Sequence, residues 1–362
     1  MKIATISVSE NGIKLAMSLA EKLRADNEIK VFCFWKYCKD SSIDAEPFTN
    51  GTDLVANIFG EFDALIFFCA CGIAVRTIAP HIRSKLTDPA VVVVDDGGQF
   101  AIPILSGHIG GANALAKQIA EEIGAVPIIT TATDVHGKFS PDLFAKANDL
   151  ILDDLNGAKE IAAAVLRGES IAVVSAFDMI NIPKEILREE ICRFGIFINQ
   201  KPEKSAEHFP TVTLELTARN IVLGIGCKRG VTADVIERQV NKAFELKGYD
   251  LRQVVEIATI DIKRDEEGLL EFAERRGLPI RFLTAEQLMS VPAEVHGIKG
   301  SDFVMKTTGA DNVCERAALF SSGEGGRLLI PKCCLDGNSD GVTVAAAAKP
   351  VVIDFAKMNV TI

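Results

Sequence analysis

Over the first two-thirds of the chain, short β-rich runs alternate with runs that repeat apolar residues at helical spacing. KIATISV, EIKVFCF, ALIFFCA, AVVVVDD, VPIITTA and SIAVVSA have the length and the β-branched or aromatic content of strands. GIKLAMSLAEKLR, GIAVRTIAPHI, GANALAKQIAEEIG and the segment from Asn156 to Leu166 carry the helical period. Strands separated by helices are the pattern of parallel sheets covered on both faces, whose central strands read as nearly continuous apolar runs, as AVVVV does. From Phe197 to Arg219 the pattern weakens into INQKPEKSAEHFPTVTLELTAR, with two prolines and mixed charge. It then resumes with IVLGIGC, a helix from Ala233 to Leu246, VVEIATID, a helix from Glu266 to Arg276, PIRFLTA, RLLIPK and VTVAAAA. The rhythm predicts a multidomain α/β protein with mainly parallel sheets flanked by helices. We expect an N-terminal α/β domain over 1–136, a middle region and linker over 137–210, and a separate C-terminal α/β domain over 219–350.

A chain of 362 residues, 48% of them hydrophobic, is long enough for two or three substantial cores and is not disordered. Its apolar runs are far shorter than a bilayer span, and MKIATISVSE lacks the apolar core of a signal peptide, so a cytoplasmic location without membrane contact is expected. The formal net charge of −10, with no basic run, opposes a general nucleic-acid binder, so an anionic ligand needs a local basic pocket. Nine cysteines, an odd number without a regular framework, fit reduced thiols better than disulfides. Cys69-x-Cys71 and the adjacent Cys333 and Cys334 are too close together for paired zinc ligands, and no histidine cluster completes either, so we expect no metal site.

The motif LSGHIGGAN, Leu105 to Asn113, is where chemistry is most expected. VVVVDDGGQFAIPIL before it reads as strand, turn and strand, and ALAKQIAEEIG after it reads as helix, so Ser106 and His108 lie among glycines at a strand-to-helix junction. Backbone N–H groups are unpaired at a helix start, and glycine lets other groups come close to the backbone.

In order and spacing, CGIAVRTIAPHI, KLTDPAVVVVDDGGQFAIPILSGHIGGANALA, VPIITTATD, VLGIGCKRGV, TIDIKRDEEGLLEFA and NVCERAALF closely resemble the cobalt-precorrin-5A hydrolases of anaerobic cobalamin biosynthesis. The resemblance covers most of the chain and is weakest from about Asp142 to Arg219. It implies a hydrolase acting on a ring-contracted tetrapyrrole, cobalt-precorrin-5A. The family opens a lactone on ring A and releases the extruded carbon with its methyl group as acetaldehyde, giving cobalt-precorrin-5B. The implied enzyme has no cofactor of its own, because cobalt is carried by the substrate, and transient contact with neighbouring pathway enzymes is the only protein partnership to look for.

Opening a lactone needs a base for water, donors for the carbonyl oxyanion and a proton for the departing oxygen. His108 is the candidate base, since a helix starting just after it would disfavour imidazolium and keep the ring a neutral acceptor. Gly107, Gly110 and Gly111 would let backbone N–H groups face an oxyanion or a substrate carboxylate. The plainer alternative is that Ser106 caps the helix and His108 bonds a loop. Asp95 follows a buried strand and could orient His108 or activate water, so Asp95 and Ser106 join His108 as catalytic candidates. The alternative for Asp95, preferred for Asp96, is that DDGG is simply a turn.

The substrate's acetate and propionate side chains call for fixed cations. Arg76 and Lys85 are candidates beside His81 and Arg83, although Arg83 and Lys85 also fit a solvated helix end. In GIGCKRG, Gly226, Lys228 and Arg229 suggest a second carboxylate cradle. The GxGxxxG spacing is one residue longer than the dinucleotide fingerprint, and the end of the next strand offers no convincing acidic residue of the kind nicotinamide binding requires. Glu315 and Lys332 could form a further charged wall, or be a helix surface residue and an exposed strand end. The rival functions are a non-catalytic carrier of the corrinoid intermediate and, behind it, an oxidoreductase using the C-terminal glycine loop.

Overall fold

In the computed structural model, residues 1–38, 44–84, 87–108, 110–131, 137–184, 186–188, 192–200, 210, 212–333 and 340–359 are described. The apolar runs of the N-terminal part become one seven-stranded sheet of β1 (Lys2–Ser7), β2 (Glu28–Phe34), β3 (Glu46–Phe48), β4 (Ala64–Phe68), β5 (Ala90–Val94), β6 (Phe100–Leu105) and β7 (Val126–Pro127). Their order is β3-β2-β1-β4-β5-β6-β7. The pairs from β3 to β5 are parallel, whereas β6 runs antiparallel to β5 and β7 follows β6.

Four helices cover this sheet: α1 (Glu10–Leu23), α2 (Gly51–Ile58), α3 (Cys71–Ile78) and α4 (Ala112–Ile123). Side chains alternate between the faces of a strand, so β4 and β5 feed two cores. Ile66, Phe68, Val92 and Val94 pack with α1 and α4, and Leu65, Phe67, Val91 and Val93 with α2 and α3. Burial on both faces is why these strands carry no polar positions.

Two predicted elements are shorter than their sequences suggest. GIAVRTIAPHI is α-helical only to Ile78 and ends in the 3-10 turn Ala79–His81, because Pro80 has no N–H to continue the ladder. Among the described residues, VPIITTA pairs with β6 through Val126 and Pro127, as an edge strand interrupted by proline does.

The chain divides into two compact units: Met1–Lys146 with Ala158–Glu169 and Ala356–Ile362, and Ala147–Gly157 with Ser170–Phe355. The first also holds α5 (Pro141–Ala147) to its penultimate residue. After β8 (Leu150–Leu152) and α6 (Leu155–Leu166) come β9 (Ile171–Ser175), β10 (Asp178–Ile180), β11 (Ile186–Arg188), β12 (Phe194–Ile198) and β13 (Val212–Ala218). One sheet has the order β11-β9-β12-β13-β8. The stretch from Phe197 to Arg219, expected as the main boundary, therefore joins two neighbours, because β12 and β13 pair in parallel. The middle sheet and the C-terminal one both belong to the second unit.

The C-terminal sheet contains β14 (Ile221–Cys227), β15 (Val254–Ile260), β16 (Ile280–Leu283), β17 (Arg327–Cys333) and β18 (Val342–Ala348), in the order β16-β15-β14-β18-β17. The first three are parallel, and β18 and β17 return antiparallel. The helices of this region are α7 (Ala233–Lys247), α8 (Glu267–Arg276), α9 (Ala285–Met289), α10 (Ala293–His296), α11 (Asp302–Thr308) and α12 (Val313–Ser322). The last strand, β19 (Val352–Asp354), pairs with β10. Among the described residues no helix is long and apolar enough to cross a membrane.

Leu65 is fully buried at the centre of the first sheet. We expect Leu65→Ala to cost about 2–5 kcal/mol, seen as a lower urea midpoint by circular dichroism. An unchanged midpoint would mean that the core of this sheet can close around the gap.

Candidate functional site

The reversal between β5 and β6 sorts the candidate residues of the first unit onto two edges of one sheet. Asp95 follows the C-terminal end of β5, while Ser106 and His108 follow β6, whose end pairs with the beginning of β5 at Val91↔Leu105. The five residues of β5 separate these edges by roughly 16 Å. Asp95 is also occupied. Its carboxylate accepts the N–H groups of Gly97 at 3.0 Å, Gln99 at 2.7 Å and Phe100 at 2.6 Å, which closes the hairpin turn. The role of orienting His108 therefore does not fall to Asp95. Asp96 accepts a hydrogen bond from Ser9, the N-cap of α1. Arg76 belongs to the edge of Asp95. It is exposed on α3, and its Nη1 donates to Gly72 O at 3.3 Å. Lys85 lies outside the described residues.

At the other edge the glycine motif folds on itself. Ser106 adopts a left-handed φ of 56°, and its Oγ donates to Asp88 O at 3.0 Å. Asp88, 6% exposed, accepts the N–H groups of Arg83 and Ser84, so the loop entering β5 is tied to the motif. A Cβ on Gly110 would stand 2.3 Å from that of Ser106, so only glycine allows this turn. The N-cap of α4 is Gly111, not Ser106. Gly111 N–H donates to His108 O at 2.9 Å, Ala112 N–H to Ser106 O at 3.1 Å and Asn113 N–H to Gly107 O at 3.0 Å. The N–H of Gly111, one of the three glycines expected to let donors face an oxyanion or carboxylate, thus satisfies a carbonyl of the loop itself, as do the first two N–H groups of α4.

The side chains arrive from α5. His108 Nδ1 lies 3.4 Å from Asp142 Oδ2 and 3.4 Å from Ser140 Oγ. The imidazole is 14% exposed and the carboxylate 13%. Ser140 Oγ donates to Asp142 Oδ1, which also accepts Leu143 N–H at 3.1 Å. One helical turn beyond Asp142, Lys146 places its Nζ 3.6 Å from where a Cβ of Gly111 would stand. Gly110 and Lys146 also line a cavity of about 410 Å³ with Asp63, Thr87 and Asp88, at the starting ends of β4 and β5. A histidine with a fixed carboxylate is equipped for general acid–base catalysis. Sequence reading missed Ser140, Asp142 and Lys146. The available signal was the predicted hairpin itself, which already sends Asp95 to the wrong edge.

In the second unit the topology gathers Gly226, Lys228, Arg229, Glu315 and Lys332 near one edge, where β14 and β17 end and β18 begins. Most of these groups serve the fold. A Cβ on Gly226 would stand 2.6 Å from Thr343 Oγ1, so this glycine permits close strand packing. Arg229 forms a two-pronged pair with Asp265, at 3.1 and 3.0 Å. Gly230 N–H donates to Glu266, which is itself paired with the buried Lys263. Glu315 is no helix surface residue: it is 5% exposed, accepts Lys332 N–H at 2.8 Å and accepts from Asn312. Lys228 and Lys332 are the cations of the group without a carboxylate partner among the described residues, and this is the part of the edge that could receive an acidic ligand. Burial pushes the Cys69 thiol up to about 11 and the Cys314 thiol up to about 12. Cys334 lies outside the described residues.

Two family models match the chain, Cobalamin synthesis G N-terminal over residues 53–134 and Cobalamin synthesis G C-terminus over residues 221–347. A cobalt-precorrin-5A hydrolase of Priestia megaterium is 30% identical over 370 residues, covering 96% of this chain and 95% of that protein. Another, from Salmonella typhimurium strain LT2, is 32% identical over 347 residues, covering 89% and 92%. A crystal structure of a cobalamin biosynthesis protein G homolog from Sulfolobus solfataricus is 24% identical, with a TM-score of 0.41, and covers 96% of this chain and 97% of that one.

Asp95→Ala removes the acceptor of three backbone N–H groups, so it should cost about 1–3 kcal/mol in urea titration while leaving the His108 imidazole resonances unshifted. A shift of those resonances would bring Asp95 back to the histidine. Because its thiol titrates only at about 12, Cys314 is neutral at pH 8 and should resist iodoacetamide until the protein is unfolded. Rapid alkylation of Cys314 in the native protein would contradict its burial.

Proposed function

The chain belongs to the cobalt-precorrin-5A hydrolase family of cobalamin synthesis, and on that premise we propose that it opens the ring A lactone of cobalt-precorrin-5A and releases acetaldehyde to give cobalt-precorrin-5B. The observation that carries this reading is His108, whose Nδ1 faces Asp142 and Ser140 within the motif that the family resemblance singles out. In the proposed reaction Nε2 of His108 takes a proton from water, and the hydroxide adds to the lactone carbonyl. The ring C–O bond then breaks, and the imidazolium returns its proton to the departing oxygen. The products of this step are a carboxyl group and an alcohol, which together account for the added water.

The alcohol carries the carbon and methyl group that leave. Loss of its O–H proton and cleavage of the carbon–carbon bond to the macrocycle form acetaldehyde, and the bonding electron pair stays with the macrocycle. Cobalt enters as part of the substrate, and no step of this proposal draws on a metal of the protein's own.

We expect His108→Gln to fold normally and to lower turnover by a factor on the order of 10² to 10⁴, the usual worth of a positioned base. Acetaldehyde formed under anaerobic conditions from cobalt-precorrin-5A is the measurement, and near-normal release by the variant would remove His108 as the base.

A further inference from the structure

We infer that Asp142 is the positioning residue for His108, fixing the tautomer in which Nδ1 carries the proton and Nε2 the lone pair. This deepens the proposed hydrolysis and rests on that reading. Three observations carry it. The first is what the described residues bring to Nδ1. Ser140 Oγ gives its only proton to Asp142 Oδ1, so toward His108 it can act only as an acceptor. Asp142 Oδ2, 3.4 Å from Nδ1, is an acceptor as well. A lone pair on Nδ1 would face two others, whereas a proton there is attracted to both.

The second observation is that the carboxylate is held from behind. Oδ1 is anchored by Ser140 and by Leu143 N–H at 3.1 Å, leaving Oδ2 turned to the ring. The third is that α5 is rigidly seated. Phe144 is fully buried with its ring 5.3 Å from that of Phe139, Ala145 is 1% exposed, and Ser140 accepts Phe144 N–H at 2.9 Å. Asp142 and Lys146, a turn apart, thus meet the glycine motif at His108 and at Gly111. A carboxylate so placed also stabilises the imidazolium that forms as water is deprotonated.

The test is nitrogen-15 NMR of the full chain labelled at its five histidines, with His108 assigned by its loss in His108→Gln. The wild-type ring should show a protonated Nδ1 and an unprotonated Nε2. Asp142→Asn, whose amide can donate to Nδ1, should move the proton to Nε2 and lower kcat by about 10² to 10⁴ with little change in KM. A wild-type ring protonated on Nε2 would overturn the inference, as would an Asp142→Asn protein with unchanged tautomer and kcat. Should Asp142→Asn fail to fold, the wild-type spectrum alone decides. The expected tautomers without acetaldehyde release by the wild type would uphold the role of Asp142 and overturn the hydrolase reading, so the two fail separately.

Discussion

The antiparallel return of β6 along β5, closed by three backbone N–H groups on the Asp95 carboxylate, decides which residues of the first unit can meet. In an open parallel sheet, ligands are expected outside the carboxyl ends of the strands. The hairpin carries the glycine motif to the opposite edge, next to the loop that enters β5, where the buried Asp88 ties both together. His108 therefore lies among residues that begin strands, not among those that end them.

At that edge the loop uses its own carbonyls to satisfy the first N–H groups of α4. A helix start with free donors would bind anions by itself; here Gly111, Ala112 and Asn113 give theirs to the loop, and what the turn offers is a seat for one imidazole. The glycines are needed for the turn, with Gly110 passing too near Ser106 for any side chain. Polar groups come instead from α5, a seven-residue helix that supplies Asp142 and Lys146.

Much of the fold was legible in the sequence, because strands buried on both faces must be apolar throughout, and the helices between them keep their period. The junction character of LSGHIGGAN was legible too. Asp142 was not: it lies 34 residues beyond His108, in the stretch where the family resemblance is weakest, and packing around Phe144 brings it back. Glu315 reads as part of a charged wall or as a surface residue of a helix, yet the N–H of Lys332 draws it inside. Arg229 reads as a ligand cation, and only the fold shows Asp265 beside it. In each case the deciding partner is distant in sequence, which local pattern cannot supply.

If His108 acts as proposed, the substrate is held at the edge of the first sheet where His108 and α5 meet. Hydrogen–deuterium exchange with and without cobalt-precorrin-5B measures this directly on the unmodified protein. Slowed exchange is predicted in peptides covering 105–113 and 140–147. Protection confined to peptides covering 9–12 and 70–76, the opposite edge, would place the substrate away from His108.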